Sequence, residues 1–247
     1  MRTLKIVFYL VIASVSFSCN KSDTCDCFKS TGSITNEHRT IPGFNAISVS
    51  NNINLYITED TFYSIVVEAG SHILESIKTQ VTDSCLYLTN SIKCNWVRSY
   101  KDKVNIYVTC KKIKELDDNI CSGNIFTTDT LYADKFNMND FAGSGTINLK
   151  LVVSNTSWFS LNTGPIDLTV RGRSGLSYLY SNGNGKADLS NFPTGDFFIT
   201  NNSTNDCYIN VNNWVDAQIG YVGNIYYKGS PTEITTNITG SGQLIKN

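Results

Sequence analysis

Residues 143–151 read GSGTINLKL, a small turn followed by a short alternating strand, and the same phrase returns later in the chain. Its variants are GPIDLTV at 164, GKADLS at 185, DCYINV at 206, GNIYYKG at 223 and GSGQLIK at 240. A period of roughly 20 residues with glycine at the corners is typical of a solenoid, in which each repeat forms one coil. One unit cannot bury its apolar side alone, whereas stacked units share a continuous interior.

Aligning the repeats on their first apolar strand residue gives two apolar columns separated by one polar position. Because side chains alternate along a strand, both columns are predicted to face the interior. The first column comprises Ile147, Ile166, Ala187, Ile209 and Ile225, and the second comprises Leu149, Leu168, Leu189, Val211 and Tyr227.

Each repeat also holds a second strand-like run. These runs are DKFNMND at 134, SWFSLNT at 157, SYLYSNG at 177, DFFITNN at 196 and DAQIGYV at 216. We therefore predict an all-β fold, a right-handed parallel β-helix, since crossovers between parallel strands are nearly always right-handed. Residues 119–247 hold the repeated coils of a single domain that spans 38–247. The alternating strands of 38–118 either cap the solenoid or form irregular first coils.

The segment 1–18 has the features of a secretory signal peptide. Arg2 and Lys5 precede the uncharged run IVFYLVIASVSFS, which is shorter than the roughly 20 apolar residues of a membrane-spanning helix. The run ends at Ser18-Cys19, which resembles a bacterial lipobox and implies a lipid on the Cys19 sulfur. A plain signal peptide followed by a free Cys19 is the alternative. Residues 19–37 are then a polar tether, and the expected location is the cell envelope, as a surface-exposed outer membrane lipoprotein held to the membrane by its N-terminal lipid.

The eight cysteines fit an oxidising compartment. Cys207 alternates with apolar residues and is predicted to be a small core residue. Apart from Cys19, the remaining cysteines are Cys25, Cys27, Cys85, Cys94, Cys110 and Cys121. Cys85–Cys94 and Cys110–Cys121 are candidate local disulfides, although the sequence does not fix the connectivity. A metal site at Cys25-Asp26-Cys27 is the alternative, which the shortage of further ligands disfavours; we predict no metal and no cofactor.

The composition disfavours nucleic acid and nucleotides as partners. The formal net charge is −1, and no glycine-rich phosphate loop leads from a strand into a helix. Parallel β-helices also host lyases and glycosidases that use paired carboxylates, and the alignment stacks Asp167 on Asp188. A solvated polar column with Asn148 and Asn210 is the simpler interpretation. We predict no catalytic residues and keep a polysaccharide-active enzyme as the alternative, with a passive structural role as a third.

An aromatic series in the second runs marks a candidate binding surface. Trp158, Tyr178 and Phe198 recur at a constant interval, with Met138 and Gln218 at the ends of the series. Because the intervening neighbours are also apolar, one face must line the core. The other face is covered by the N-terminal strands, which we expect, or by another subunit or a ligand. A flat aromatic ladder suits stacking against sugar rings, which makes Trp158, Tyr178 and Phe198 the candidate ligand-binding residues.

Four elements in order resemble a known family. They are IPGFNAISVSNNINLYIT at 41, ILESIKTQVTDSCLYLTNS at 73, the glycine-marked repeats, and the closing IYYKGSPTEITTNITGSGQLIKN at 225. Over residues 38–247 the chain resembles the autotransporter-adhesin, head-GIN-domain family of Bacteroidetes lipoproteins. The resemblance implies a pectin-lyase-like β-helix at the cell surface and a role in adhesion. It supplies no catalytic residues. We predict carbohydrate or a host or cell-surface protein as the partner and leave an oligomer open. GNG at 183 and DCY at 206 depart from the family's Gly-Ser-Gly pattern.

Overall fold

A computed structural model describes residues 30–92 and 104–247, which form a nearly all-β solenoid of about 7 turns. The predicted fold class is therefore confirmed. The predicted signal peptide (1–18), Cys19, Cys25, Cys27 and Cys94 lie outside the described residues. In the part that the structure describes, a short 3-10 turn at Leu74–Ser76 is the only helical element, and no helix is long and apolar enough to cross a membrane.

Seventeen strands, numbered in chain order, build the solenoid in the described ranges. They are β1 (Ile34–Arg39), β2 (Ala46–Asn51), β3 (Asn54–Glu59), β4 (Ser64–Gly70), β5 (Ile77–Thr82), β6 (Cys85–Asn90), β7 (Asn105–Cys110), β8 (Glu115–Cys121), β9 (Ile125–Thr127), β10 (Leu131–Asp140), β11 (Gly145–Leu161), β12 (Ile166–Ser181), β13 (Ala187–Asn201), β14 (Cys207–Ile219), β15 (Ile225–Lys228), β16 (Glu233–Ile238) and β17 (Leu244–Lys246). The strands β11 to β14 are long because each contributes to two ladders of parallel strands.

Strand β11 shows how one strand serves both ladders. Its residues 145–153 pair with 166–174 of β12 and, after a register shift, its residues 156–161 pair with 176–181. Residues 147 and 148 also pair with β9, whereas residues 151–153 and 156–161 pair with β10. We call the ladder that contains β3, β9, β15 and β17 the first ladder, and the one that contains β2, β8 and β16 the second ladder. The apolar inner faces of both ladders form one continuous core.

The N-terminal strands both extend and close the solenoid. Strands β2 and β3 lie between β6 and β7 on one side and β8 and β9 on the other. Strands β1, β4 and β5 run antiparallel to their neighbours and close that end. Closing strands of this kind remove the unpaired edge that an open solenoid presents. Both predicted roles are therefore present, and β1 begins at Ile34, inside the segment 19–37 that we predicted as a tether.

The length of the coils varies, and this changes the predicted columns. Ile147 pairs with Leu168 and Cys207 pairs with Ile225, so the coil that follows Ile147 is longer than the coil that follows Cys207. The inward column of the first ladder comprises Ile147, Leu168, Ala187, Cys207 and Ile225. The placement of Ile166 and Ile209 in this column is therefore wrong by two residues. A shift of two keeps every side chain on its predicted face, and both residues are buried.

Glycine marks the corners for a steric reason. Gly145 has a φ of 130°, in a region that residues with a side chain avoid. A Cβ on Gly185 would overlap the carbonyl oxygen of Ile166 on the preceding coil. The close approach of successive coils thus explains the glycine-marked period of the sequence.

Asparagine and aspartate recur just before the inward column residue of the first ladder, and their side chains bond to the next coil. A side-chain oxygen of one coil accepts the backbone N–H of the next coil. The pairs are Asn54 with Asn124 (3.1 Å), Asn124 with Thr146 (3.0 Å), Asp167 with Lys186 (2.8 Å), Asp206 with Asn224 (2.8 Å) and Asn224 with Gln243 (2.9 Å). Sequence reasoning missed this role, although the recurring Asn or Asp before each strand is its signal.

The predicted Cys110–Cys121 disulfide is not formed, and both residues are free thiols. The Cys110 thiol donates to the Thr58 carbonyl oxygen at 3.9 Å, whereas the Cys121 thiol donates to the Ile53 carbonyl oxygen at 3.4 Å. The two cysteines belong to different ladders, because β7 lies in the first and β8 in the second. The predicted disulfide was wrong because it paired two cysteines only on their closeness in sequence.

The other described cysteines are free thiols as well. Cys207 is fully buried in the core, as predicted. Cys85 is half-buried and unpaired, and its predicted partner Cys94 lies outside the described residues. Burial raises the pKa of the Cys207 thiol to about 12. A thiol that stays protonated at neutral pH is a poor nucleophile, so this cysteine serves packing.

Candidate binding site

An aromatic column runs along the outer face of the second ladder. Trp158 pairs in register with Tyr178, and Tyr178 pairs with Phe198. The ring centroids lie 4.7 Å apart in the first pair and 4.9 Å apart in the second, with the rings stacked. The structure therefore brings the three predicted residues together, because the coils here keep the constant interval of the aromatic series.

The column does not end at Met138 and Gln218, as we predicted. Asn137 precedes the first ring and Asp216 follows the last. Met138 instead faces the core and has no exposed surface. The prediction continued the constant interval of the series, whereas the step from Asn137 to the first ring is longer and that from the last ring to Asp216 is shorter.

The outer face of this column is open to solvent. Trp158 is 42% exposed, while the adjacent Phe159 has no exposed surface and lines the core. Tyr178 and Phe198 are half-buried. We expected the N-terminal strands to cover the rings, and this is wrong for the strands that the structure describes, because they extend and close one end of the ladders.

The stacking leaves few ring faces free. Tyr178 lies between two rings, and Phe198 also meets the Trp214 ring edge-on, at a centroid distance of 4.8 Å and an angle of 82°. Trp158 stacks with Tyr178, at the N-terminal end of the column. The predicted aromatic ladder is therefore formed, but Tyr178, its middle ring, has no face left for a sugar ring. Trp158 is the most exposed of the three rings, and its face away from Tyr178 lies toward Asn137 of the preceding coil.

A shallow groove of about 120 Å³ lies along this column. Besides the rings, its polar lining includes Tyr180, Thr200, Asp216 and Gln218. Tyr180 and Thr200 pair in register, two positions after the aromatic residues, because alternate residues of a strand share a face. In the described chain, no lysine or arginine lines the groove. The groove thus combines aromatic edges with a row of hydroxyl, amide and carboxylate groups.

Sequence reasoning did not identify this polar row. It counted Gln218 among the ring positions and did not single out Tyr180 or Thr200. The signal was available, because each of these two lies two positions after an aromatic residue of the series.

The two carboxylates of the enzyme alternative do not form a pair. Asp167 pairs in register with Thr146, and Asp188 pairs with Thr169, so the two carboxylates stand in different columns. The same two-residue error that misplaced Ile166 produced the predicted stack. The predicted stack of these two carboxylates in one column is therefore wrong.

Asp188 is held as a carboxylate by its neighbours. Ser190 donates to it from its backbone N–H at 3.1 Å and from its hydroxyl at 2.7 Å, and the Lys186 ammonium lies at 3.3 Å. Partial burial acts to raise the pKa of Asp188, but these hydrogen bonds outweigh it and the pKa lies below its usual value. A carboxyl group of this kind does not supply a proton at neutral pH.

A pair of carboxyl groups with raised pKa values lies in the core instead. Asp118 and Asp140 pair in register on adjacent coils, and neither has exposed surface. Asp118 accepts the backbone N–H of Cys121 at 2.7 Å, and Asp140 accepts that of Gly143 at 2.6 Å. The second oxygen of each has no partner. Burial raises the pKa of Asp118 to about 7 and that of Asp140 to about 6.

This buried pair explains the first glycine of the GSG motif. A Cβ on Gly143 would lie 2.5 Å from Oδ2 of Asp118 and 2.7 Å from Oδ1 of Asp140. Only glycine leaves room for both carboxyl groups. Because the pair is sealed from solvent, it cannot contact a ligand at the surface. Across residues 30–92 and 104–247, no cluster of three or more His, Cys, Asp or Glu side chains is arranged to hold a metal ion.

Comparison of the sequence with known protein families identifies the family of this chain. The family model described as "Putative auto-transporter adhesin, head GIN domain" matches residues 43–231. The chain belongs to this family. The resemblance found in the sequence is therefore confirmed, and the match spans both the N-terminal coils and the repeated coils of the head GIN domain. No curated protein matches the chain.

Solved structures share the fold. A putative adhesin from Bacteroides fragilis superposes with a TM-score of 0.79 at 23% identity, over 87% of this chain and 97% of that chain. A putative lipid binding protein from Parabacteroides distasonis gives 0.63 at 20% identity, over 87% and 97% of the two chains. A putative adhesin from Parabacteroides merdae gives 0.57 at 16% identity, with the same coverage. At these identities the likeness shows the fold alone.

Proposed function

We propose that this head GIN protein is an adhesion module of the cell envelope that binds its partner through the groove beside Trp158. The observation that carries the proposal is the aromatic column, open to solvent and bordered by a polar row. Exposed aromatic surface of this kind is costly to keep in water and commonly marks an interaction site. The names of the family and of two structural relatives point in the same direction.

We further propose that binding involves no catalysis. The carboxyl groups whose pKa values are raised, Asp118 and Asp140, are sealed in the core, whereas catalytic groups with shifted pKa values lie in clefts. Asp188, near the surface, has a lowered pKa and is hydrogen-bonded to Ser190. These features disfavour the polysaccharide-active enzyme.

One structural relative is named for lipid binding, and the groove argues against a buried lipid here. Pockets that enclose small molecules measure roughly 300 Å³ or more, and the groove has about 120 Å³. We place lipid at the other end of the chain, as the anchor on Cys19. Replacing Cys19 by Ala should release the protein from the membrane fraction and end its labelling with palmitate; unchanged labelling would refute the anchor.

The proposed function is tested with beads that carry the purified full chain, on surfaces coated with polysaccharide, mucin or fibronectin. We expect the wild-type beads to be retained on at least one coating under flow, and Trp158→Ala to abolish this retention. Tyr221→Ala is the matched control, because it removes an aromatic residue that is 52% exposed and lies outside the groove. Retention that survives Trp158→Ala, or wild-type beads that bind no coating, would contradict the proposal.

A further inference from the structure

The C-terminal end of the solenoid is open on both ladders. Among the described strands, β16 pairs only with β14, and β17 pairs only with β15, so each keeps one edge of unpaired backbone groups. Ile234 and Ile238, which face the core from β16, are each 46% exposed, and Leu244 on β17 is half-buried. An open edge with exposed apolar residues is a site at which further strands add.

This end has the shape of one screw step. Along residues 225–246, β15 lies on the first ladder, β16 on the second, and β17 on the first again, one strand beyond β15. The first ladder therefore projects past the second by part of a coil. A second copy turned end over end presents the same step, and two steps of the same hand fit together when β16 of each copy adjoins β17 of the other.

The contacts across such a joint match in direction and in side chains. Two copies that meet at the same end run in opposite directions around the core, so the new strand pairs are antiparallel. Ile238 is the last inward residue of β16, and Leu244 is the first inward residue of β17, across the turn 239–243. The two-fold operation would set Ile238 of each copy against Leu244 of the other, and both side chains would lose contact with water.

The charges favour this pairing over the pairing of like strands. Glu233 is the only charged residue of β16, and Lys246 is the only charged residue of β17. When β16 adjoins β17 of another copy, an acidic edge meets a basic one, whereas β16 against β16 would bring two acidic edges together.

The segments of this chain outside the described residues are too far away to cover this end. Residues 93–103 connect β6 to β7, which lie eight ladder steps, or about 38 Å, from β16 and β17. A connection of this length that must return extends by about 20 Å. Residues 19–29, which follow the predicted signal peptide, span about 38 Å, whereas β1 lies ten steps, or about 48 Å, from β17.

We infer that two copies of this chain associate through their C-terminal ends, with β16 of each adding to β17 of the other. A standard interface uses about 20–30 residues a side, and residues 225–246 supply about that number. Because the contact consists of backbone hydrogen bonds and few apolar side chains, we expect a weak dimer with a dissociation constant of about 10–100 µM. Unfolding measured at about 1 µM then reports the monomer.

The dimer would supply a partner for adhesion, and this step rests on the proposed function. The N-terminal strands lie at its two far ends, about 100 Å apart. With both copies anchored through Cys19, the dimer joins two opposing membranes, and one cell adheres to another that carries the same protein. Many such contacts acting together hold surfaces that a single weak dimer does not.

Sedimentation equilibrium of the full chain, in a detergent that disperses its apolar N-terminus, tests the dimer. We expect wild-type dimers at roughly 500 µM and monomers at about 1 µM. Ile238→Asp places a charge in the joined core and should weaken the dimer at least about tenfold. Asn237→Asp, the matched control, adds the same charge to the adjacent outward residue and should change the dissociation constant less than about twofold. Melting curves at about 1 µM verify that each variant is folded.

A mixture of Ile238→Cys and Leu244→Cys tests which strands meet. On oxidation we expect a disulfide-linked dimer that contains one copy of each variant, because the Cβ atoms of directly opposed residues lie within disulfide range. Each variant oxidised alone is the control, and a mixture that links no better than the controls would overturn the pairing.

The remaining outcomes separate the dimer from the groove. Wild type that stays monomeric at roughly 500 µM, or a dimer that survives Ile238→Asp, would overturn the inference. Trp158→Ala should dimerise like the wild type, so a failure of the groove leaves the dimer in place. Beads in two colours that carry the chain by its N-terminus should cluster with the wild type and Asn237→Asp, but not with Ile238→Asp. Dimers in sedimentation without bead clustering would refute the link between membranes.

Discussion

The N-terminal coils and the repeated coils form the same two ladders, but their strands pair with partners at different distances along the chain. In the repeated coils, neighbouring strands are consecutive or next but one in the chain, as for Ile147 on β11 and Leu168 on β12. In the N-terminal coils, Ala46 on β2 pairs with both Cys85 on β6 and Glu115 on β8, although several other strands lie between them in the chain. The same solenoid is thus built from local contacts in one region and from long-range contacts in the other.

The two ends of the solenoid differ as well. At the N-terminal end, antiparallel strands cover the core, and Ile65 on β4 has no exposed surface. At the C-terminal end, β16 pairs with β14 alone among the described strands, and its core-facing residues Ile234 and Ile238 are each 46% exposed. The core is therefore well covered at the closed end and partly exposed at the open end, where we expect lower local stability.

The largest effect is expected where neighbouring residues of a repeated coil face opposite ways. Ile147 is fully buried and Asn148 lies on the outer face. Ile147→Asp places an unpaired charge in the core and should lower the free energy of unfolding by several kcal/mol. Asn148→Asp keeps the charge hydrated and should change it by less than about 0.5 kcal/mol. Denaturant titration measures both, and equal losses would invalidate the inward and outward assignment.

A smaller effect should distinguish the closed end from the open end. Ile65→Ala removes a fully buried side chain and should cost about 2–5 kcal/mol. Ile234→Ala makes the same chemical change in a half-exposed residue and should cost less than about 1 kcal/mol. Thermal unfolding provides the comparison. Similar costs at the two positions would mean that the C-terminal edge is covered in solution.

The smallest of these effects concerns pH and the junction where the two regions meet. Asp118 lies on β8 and Asp140 on β10, so the buried pair joins an N-terminal coil to the first repeated coil. Their folded pKa values, about 7 and about 6, lie above the ordinary 3.8. The stability they contribute is present below pH 3.8 and is lost as pH rises through about 6 and 7.

Asp118→Asn removes this loss while keeping the acceptor for the Cys121 N–H. We expect the variant to be more stable than the wild type by about 1–3 kcal/mol at pH 8 and to lose most of that advantage at pH 4, because one pKa unit corresponds to about 1.4 kcal/mol. The exposed Asp129→Asn is the control and should follow the wild-type pH profile. An advantage that is the same at both pH values would show that the carboxyl group is ionised in the core.

Sequence reasoning succeeded for features that follow from local alternation. The inward direction of Leu168 and Leu189 and the alignment of Trp158 with Tyr178 need only the period within a coil and a regular step between coils. Alternation survives an error of two residues, which is why the faces are right even where the column containing Ile166 is wrong.

Features that depend on pairing between distant segments were not predictable from the period. The insertion of β2 and β3 between later strands has no local signal, and it places Cys110 and Cys121 on different ladders. Ring orientation is likewise set by the stacking distance between coils. The sequence predicted an aromatic column, but only the structure shows that its rings stack on one another and that Trp158 is the most exposed of them.

The central claim is that outward residues of the second ladder bind the partner while inward residues hold the fold, and Trp158 and Phe159 test it directly. They are neighbours on β11, 42% and 0% exposed. Unfolding free energy and retention on the bound coating should be measured for Trp158→Ala and Phe159→Ala side by side. We predict that Phe159→Ala lowers stability by about 3–5 kcal/mol and leaves retention of the folded protein unchanged. Trp158→Ala should abolish retention and cost no more than about 1.5 kcal/mol. Retention that falls in both variants in proportion to stability, or that persists in Trp158→Ala, would contradict the account.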